Sequence, residues 1–188
     1  MIYSFLLSLL FFVLGFGVFA NENAELNLAR SISDELINSV REVLLKEIQK
    51  GGVIGAVQVC SEMSQEIIKK HQQKHNVYIR RISEKYRNKE NAPDKYELNI
   101  LKKLSSMKDI PAEYYEIVQE KDGKYLRYFK TITIQPVCLY CHGKNEIPDD
   151  VRNFLKQKYP DDKATGYSVG EIRGAVSIKL KIKDDTRN

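Results

Sequence analysis

The sequence predicts an α+β domain in which helices flank an antiparallel sheet. Three observations carry that reading. Apolar residues recur at helical spacing from Asn23 to Ile68, alternate with period two at 77–82, 114–134 and 172–182, and meet an Asp-Gly turn that joins two successive strands. From Asn23 to Gln49, Leu26, Ala29, Ile32, Leu36, Ile37, Val40, Val43, Leu44 and Ile48 line one stripe, and Lys50-Gly51-Gly52 ends it: a long N-terminal helix. Val53 to Ile68 forms a second helix with Cys60 on its apolar face, running out in the polar stretch Lys69 to Asn76. Val77-Tyr78-Ile79-Arg80-Arg81-Ile82 reads as a strand and Tyr86 to Asp94 as a loop. Asp94 caps a helix through Ser106 with Leu98, Leu101 and Leu104 inward. Tyr114–Gln119 and Lys124–Ile134 form a hairpin about Glu120-Lys121-Asp122-Gly123, Pro148–Tyr159 a short helix, Pro160–Gly170 a loop and Ile172–Ile182 a last strand.

Of the 188 residues, the first 20, MIYSFLLSLLFFVLGFGVFA, carry no charge, and all 30 Lys and Arg and 25 Asp and Glu follow them. Val18 and Ala20 stand at the −3 and −1 positions of a cleavage site, so residues 1–20 are expected to be a signal peptide and residues 21–188 one domain with a modest core. The head has no Lys or Arg before its apolar run, which leaves an uncleaved anchor over residues 2–19 as the alternative. Export points to the periplasm. The net charge of +5 is spread among interspersed signs with no basic block, so a solvated basic surface and peripheral membrane association are expected, and nucleic acid is not.

Three cysteines in an exported chain leave one without a disulfide partner. Cys138-Leu139-Tyr140-Cys141-His142 is the C-x-x-C-H string of covalent c-type haem attachment. Two thiols on one turn each form a thioether with a porphyrin vinyl group, and the next residue turns its imidazole to the iron. A zinc site would need a second ligand pair, and only His71 and His75 remain. A thioredoxin-like dithiol would need its first Cys at a helix start within a βαβ unit, a weaker alternative. Export and the haem string support each other, because haem c is attached outside the cytoplasmic membrane.

Further strings occur in a set order: Arg80-Arg81-Ile82-Ser83, Arg87-Asn88, Asn91-Ala92-Pro93-Asp94, Pro136 to Gly143, Tyr159-Pro160-Asp161, Ala164-Thr165-Gly166-Tyr167 and Gly170 to Ala175. Together they resemble the Tll0287-like (DUF3365) family over roughly Leu36 to Leu180. That resemblance implies a PAS-like antiparallel sheet with flanking helices and one covalently attached haem c. It also implies an unusual axial pair, His142 and, from the N-terminal helical region, Cys60. Family members often serve as the sensory part of signalling proteins, joined to kinase or chemotaxis-type modules.

By itself a lone Cys on an apolar helix face reads as a small hydrophobe, so the ligand role of Cys60 rests on the resemblance. Met63, one turn on, is the fallback. His71 and His75 sit four apart and could share a metal, but their neighbours are polar and solvent exposure is expected of both. Arg173, Arg80 and Arg81 are candidates to pair with haem propionates, and Tyr140 and Tyr167 to cover the ring. Gly143, Gly166 and Gly174 would permit close backbone approach. No acid, base or nucleophile set accompanies the haem string, so no catalytic residue is assigned. The expected function is a periplasmic monohaem protein sensing redox state or a small gaseous ligand. The alternative is a cytochrome c electron carrier with a redox partner protein.

Overall fold

The computed structural model describes residues 14–183; for residues 14–21 and for Gln58, Cys60 and Ser61 only the backbone is described. The expected leader thus lies largely outside the described residues. The described elements run α1 (Leu14–Gln58), a π-helical segment (Val59–Met63), α2 (Ser64–His75), β1 (Tyr78–Ile82), α3 (Lys95–Ser105), β2 (Glu113–Glu120), β3 (Gly123–Thr133), α4 (Leu139–His142), α5 (Asp149–Lys158) and β4 (Ile172–Lys181). The class is α+β, with helices about an antiparallel sheet and a long N-terminal helix, as the sequence predicts.

α1 is two helices in one. Gly52 takes φ +67° and ψ −161°, a conformation open to glycine, and breaks the helix. The chain then doubles back: a Cβ on Gly55 would lie 3.4 Å from the Glu47 carbonyl oxygen, eight residues earlier. A continuous helix would separate residues that far apart by about 12 Å. α1 and α2 therefore make an antiparallel helical hairpin with its tip at Gly51-Gly52. The return arm runs out within the polar stretch Lys69 to Asn76, at His75, where Asn76 in the left-handed conformation caps it by donating its N–H to the Gln72 carbonyl.

The sheet order is β1-β4-β3-β2 with every neighbouring pair antiparallel. One face receives α1 and α2: Leu26, Ala29, Ile32 and Leu36 pack with Ile68 against Ile79, Leu126, Tyr128, Val176 and Ile178. Each such fully buried Ile or Leu contributes roughly 1.5–3 kcal/mol. The other face receives α3, where Ile100, Leu101 and Leu104 meet Ile82, Phe129 and Ala175; Leu98, expected inward, is only half-buried. Asp94 and Glu97 close α3 with a capping box, Glu97 N–H to Asp94 Oδ1 at 2.7 Å and Asp94 N–H to Glu97 Oε2 at 3.0 Å. In the hairpin, Glu120 pairs with Gly123, so the two loop residues are Lys121 and Asp122, with Gly123 opening β3.

β4 is covered on both faces from Gly174 to Ile178, which is why its alternation is blurred. Its pairing with β3 skips a residue: Ile132 faces Gly174 and Thr133 faces Ile172, leaving Arg173 as the extra residue of a bulge. Gly174 beside it cannot be replaced freely, since a Cβ there would sit 2.1 Å from the Ile82 carbonyl oxygen. Among the described residues no helix is long and apolar enough to cross a membrane.

Candidate functional site

β3 delivers the chain to a 3-10 turn, Pro136–Cys138, whose first position suits proline, and then to the single turn α4. The N–H of Cys138 donates to the Gln135 carbonyl at 2.9 Å, and that of Gly143 to the Leu139 carbonyl at 2.9 Å. Gly143 follows the turn at a point where a side chain does not fit, since a Cβ there would meet the Leu139 carbonyl oxygen at 2.7 Å and crowd Glu146 Oε2. Cys138 and Cys141, half-buried thiols, therefore lie one turn apart. Tyr140 between them is 51% exposed, a ring at the surface.

His142 is buried, and its Nδ1 lies 2.6 Å from the Ala164 carbonyl oxygen. A carbonyl only accepts, so Nδ1 carries the proton and Nε2 keeps its lone pair for a metal. Burial, and then the positive charge of Arg173, Arg87 and Arg81, holds its pKa well below the ordinary 6.5 against the opposing pull of the Ala164 carbonyl. The imidazole is therefore neutral at pH 7. Tyr167 meets it edge-on at 6.3 Å, and two backbone bonds, Tyr167 N–H to the His142 carbonyl and Gly166 N–H to the Gly143 carbonyl, each 3.0 Å, tie the turn to the 164–167 loop.

A buried ion pair locks this arrangement. Arg87 donates from Nε to Asp162 Oδ2 at 3.0 Å and from Nη2 to the Cys141 carbonyl at 2.7 Å. Asp162 Oδ1 in turn accepts the Ala164 N–H at 2.8 Å, so one chain of bonds runs from Arg87 to the His142 ring. Both side chains are under 10% exposed. Neither was singled out as a site residue from sequence, although Arg87 lies in one of the strings that carry the family resemblance.

The tip of the helical hairpin packs beside this turn. Val57, Val151 and Leu155 are buried together, with Val53, Ile54 and Cys141 against them. Cys60 follows Val57 by three residues, within the π-helical segment Val59–Met63. Single π turns re-aim the residues they contain and recur at functional sites. The fold thus brings Val57, three residues before Cys60, beside Cys141, while the Cys60 side chain lies outside the described residues. Met63, the fallback, is 39% exposed.

The arginines separate. Arg173, turned by its bulge, donates from Nη1 to Ser83 Oγ at 2.5 Å and to the Lys85 carbonyl at 3.1 Å, and lies 5.7 Å from the Tyr167 ring. Arg80 instead points to the α3 side, donating to the carbonyls of Glu90 and Ala92, with Glu97 Oε2 at 3.9 Å. Nη1 of Arg81 and Nη1 of Arg87 are buried without a hydrogen-bond partner. Two thiols, an imidazole with a reserved nitrogen and two buried guanidinium nitrogens with donor capacity to spare are a donor set that fits a c-type haem with its two anionic propionates. A cavity of about 520 Å³ opens between α3 and the 166–174 loop, with Lys85, Leu101, Tyr167 and Arg173 in its wall.

The Tll0287-like family model matches residues 20–181. The chain belongs to the Tll0287-like family. A solved member of similar fold, the crystal structure of the cyanobacterial heme-protein Tll0287, is 23% identical, with a TM-score of 0.65 over 87% of this chain and 98% of that one. That likeness speaks for the fold. No curated protein matches the chain.

His71 departs from expectation. It is 6% exposed, buried with Ser64 and Ile68 on the inner face of α2, because the hairpin folds that face onto α1 although its sequence neighbours are polar. His75 is half-buried beside Glu35, 2.9 Å from Nε2 to Oε2.

Proposed function

We propose that this Tll0287-like chain is a periplasmic monohaem c-type protein that senses redox state or a small gaseous ligand. Cys138 and Cys141 would each hold the haem through a thioether, His142 would be the proximal ligand and Cys60 the sixth. The observation that carries the reading is the 2.6 Å bond from His142 Nδ1 to the Ala164 carbonyl, which presents Nε2 beside two thiols on one turn. The haem of the solved relative supports it. A bound haem supplies one-electron chemistry and an iron able to take a small ligand.

The chain's own residues do the rest. Asp162 and Arg87 hold the Ala164 peptide and the Cys141 carbonyl, so the imidazole cannot swing. Arg81, Arg87 and Arg173 offset the negative charge of propionates and of a Cys60 thiolate. A thiolate donates strongly and favours ferric iron, so Cys60 would lower the reduction potential. The thiol-disulfide alternative lacks its setting, since the described sheet is wholly antiparallel and offers no βαβ unit.

The deciding experiment is the pyridine haemochrome spectrum of protein exported from cells competent for haem c maturation. A thioether-type α band, lost in a Cys138→Ala/Cys141→Ala variant, is expected; haem absent or removable by acid-acetone overturns the reading. Carbon monoxide titration of the reduced protein then separates roles: a shifted Soret band is expected of a sensor, and an inert iron would make the chain an electron carrier. An unaltered ferric spectrum in Cys60→Ser would remove Cys60 from the iron.

A further inference from the structure

The two arms of the helical hairpin bring together three groups for which the haem site has no use. Glu35 on α1 faces His71 and His75, one turn apart on α2. One donor atom from each side chain lies within 4.8 Å of the other two, and Nε2 of His75 is 2.9 Å from Oε2 of Glu35. The imidazole rings stack, with centroids 6.0 Å and planes 12° apart. Lys74 occupies the other carboxylate oxygen, Oε1, and its side chain is 60% exposed, so Oε2 is the atom left to the histidines.

His71 is what an ordinary ion-pair reading does not explain. It is 6% exposed, Nε2 lies 3.3 Å from Ser39 Oγ, and Nδ1 is buried with no hydrogen-bond partner. Buried imidazole nitrogens are ordinarily satisfied. A polar group carried into the helix interface and left half-satisfied is a poor structural element and a good ligand.

We propose that Glu35, His71 and His75 form a binding site for one divalent transition-metal ion, best matched by Zn²⁺, that cross-links the two arms of the hairpin. Two imidazoles and one carboxylate suit Zn²⁺ at about 2.0–2.2 Å per bond and leave a fourth position to water. Tetrahedral ligands at that length lie about 3.3 Å apart, so from a spacing of up to 4.8 Å the group must tighten by up to about 1.5 Å at its loosest pair. Glu35 and His75, at 37% and 19% side-chain exposure, have the freedom to do so. A metal ion bound there would replace the His75–Glu35 hydrogen bond as the link between the two arms. The site is separate from the haem turn: His71 stands eleven residues beyond Cys60, about 16 Å of helix.

The test uses the full chain as purified, treated with chelator and titrated with Zn²⁺ by calorimetry and with Co²⁺ by absorption. One equivalent should bind, raise Tm, and leave any Soret band unmoved. Glu35→Gln and His75→Gln, both at partly exposed positions, should each weaken binding by at least the about tenfold that losing even an outer-shell partner costs. The Co²⁺ spectrum should show d–d bands without a thiolate charge-transfer band. Three results would overturn the site: no binding, binding indifferent to both variants in proteins of unchanged circular dichroism, or a thiolate band that Cys138→Ser abolishes.

Discussion

His142 and His71 are both buried histidines whose pKa is lowered chiefly by burial, yet they are opposite in how the fold treats them. At His142 one nitrogen is spoken for by a carbonyl at 2.6 Å, and the surroundings are arginines. At His71 the one contact is a hydroxyl at 3.3 Å, Nδ1 has no partner, and the neighbouring charges are Glu35, which draws the proton, and His75 and Lys74, which repel it. Burial alone says little about what a histidine does. The partner of its second nitrogen decides whether the first is aimed, and the charges around it decide which cargo suits it: an anionic macrocycle beside the arginines, a bare cation beside the carboxylate.

The largest expected effect falls on the side that is fully tied. Arg87→Ala leaves Asp162 charged and buried without its partner, and should cost about 3–5 kcal/mol in urea unfolding; a loss near zero would show that the clamp on the His142 loop is incidental. The next test sets the two histidines against each other in metal-free protein. His142→Leu strands the Ala164 carbonyl and should cost about 1–3 kcal/mol, whereas His71→Met, which removes an unsatisfied nitrogen, should stay within about 1 kcal/mol of wild type. Reversal of that order would break the comparison.

Acid should act on both in the same direction. The folded His71 binds its proton at a pH below the 6.5 of the unfolded chain. As pH falls from 6.5, the unfolded state therefore takes up a proton that the folded state refuses, and stability declines until the lowered folded value is reached. Urea midpoints between pH 7.5 and 5.5 should fall less steeply in His71→Met than in wild type. The smallest effect belongs to Lys74→Met: its pair with Glu35 is exposed, so the change should be below about 1 kcal/mol, with Zn²⁺ affinity retained.

Local features were legible because they are encoded within a few residues. Cys138-Leu139-Tyr140-Cys141-His142 is one turn, the Asp94 cap needs only Glu97, and the stripe from Leu26 to Leu36 appears as the buried face it predicts. What escaped joins distant residues. Arg87 and Asp162 are 75 apart in sequence, and the bulge at Arg173 arises from how β4 meets β3 rather than from a spacing within β4. His71 looked exposed because Lys69, Lys70, Gln72, Gln73 and Lys74 surround it, yet a helix needs only one position per turn to face inward.

By itself the sequence determined the α+β class, the order of helices and strands, the family and the thiol-thiol-imidazole string, since each depends on spacings of one to four residues that backbone geometry converts directly into faces and turns. Tertiary structure decided which nitrogen of His142 carries the proton, which arginines surround it, and that Glu35 meets His71 and His75. Those outcomes rest on a carbonyl 22 residues downstream and on a reversal at Gly52. Hydrogen bonds and charges act across space, and only the folded chain determines which groups they join.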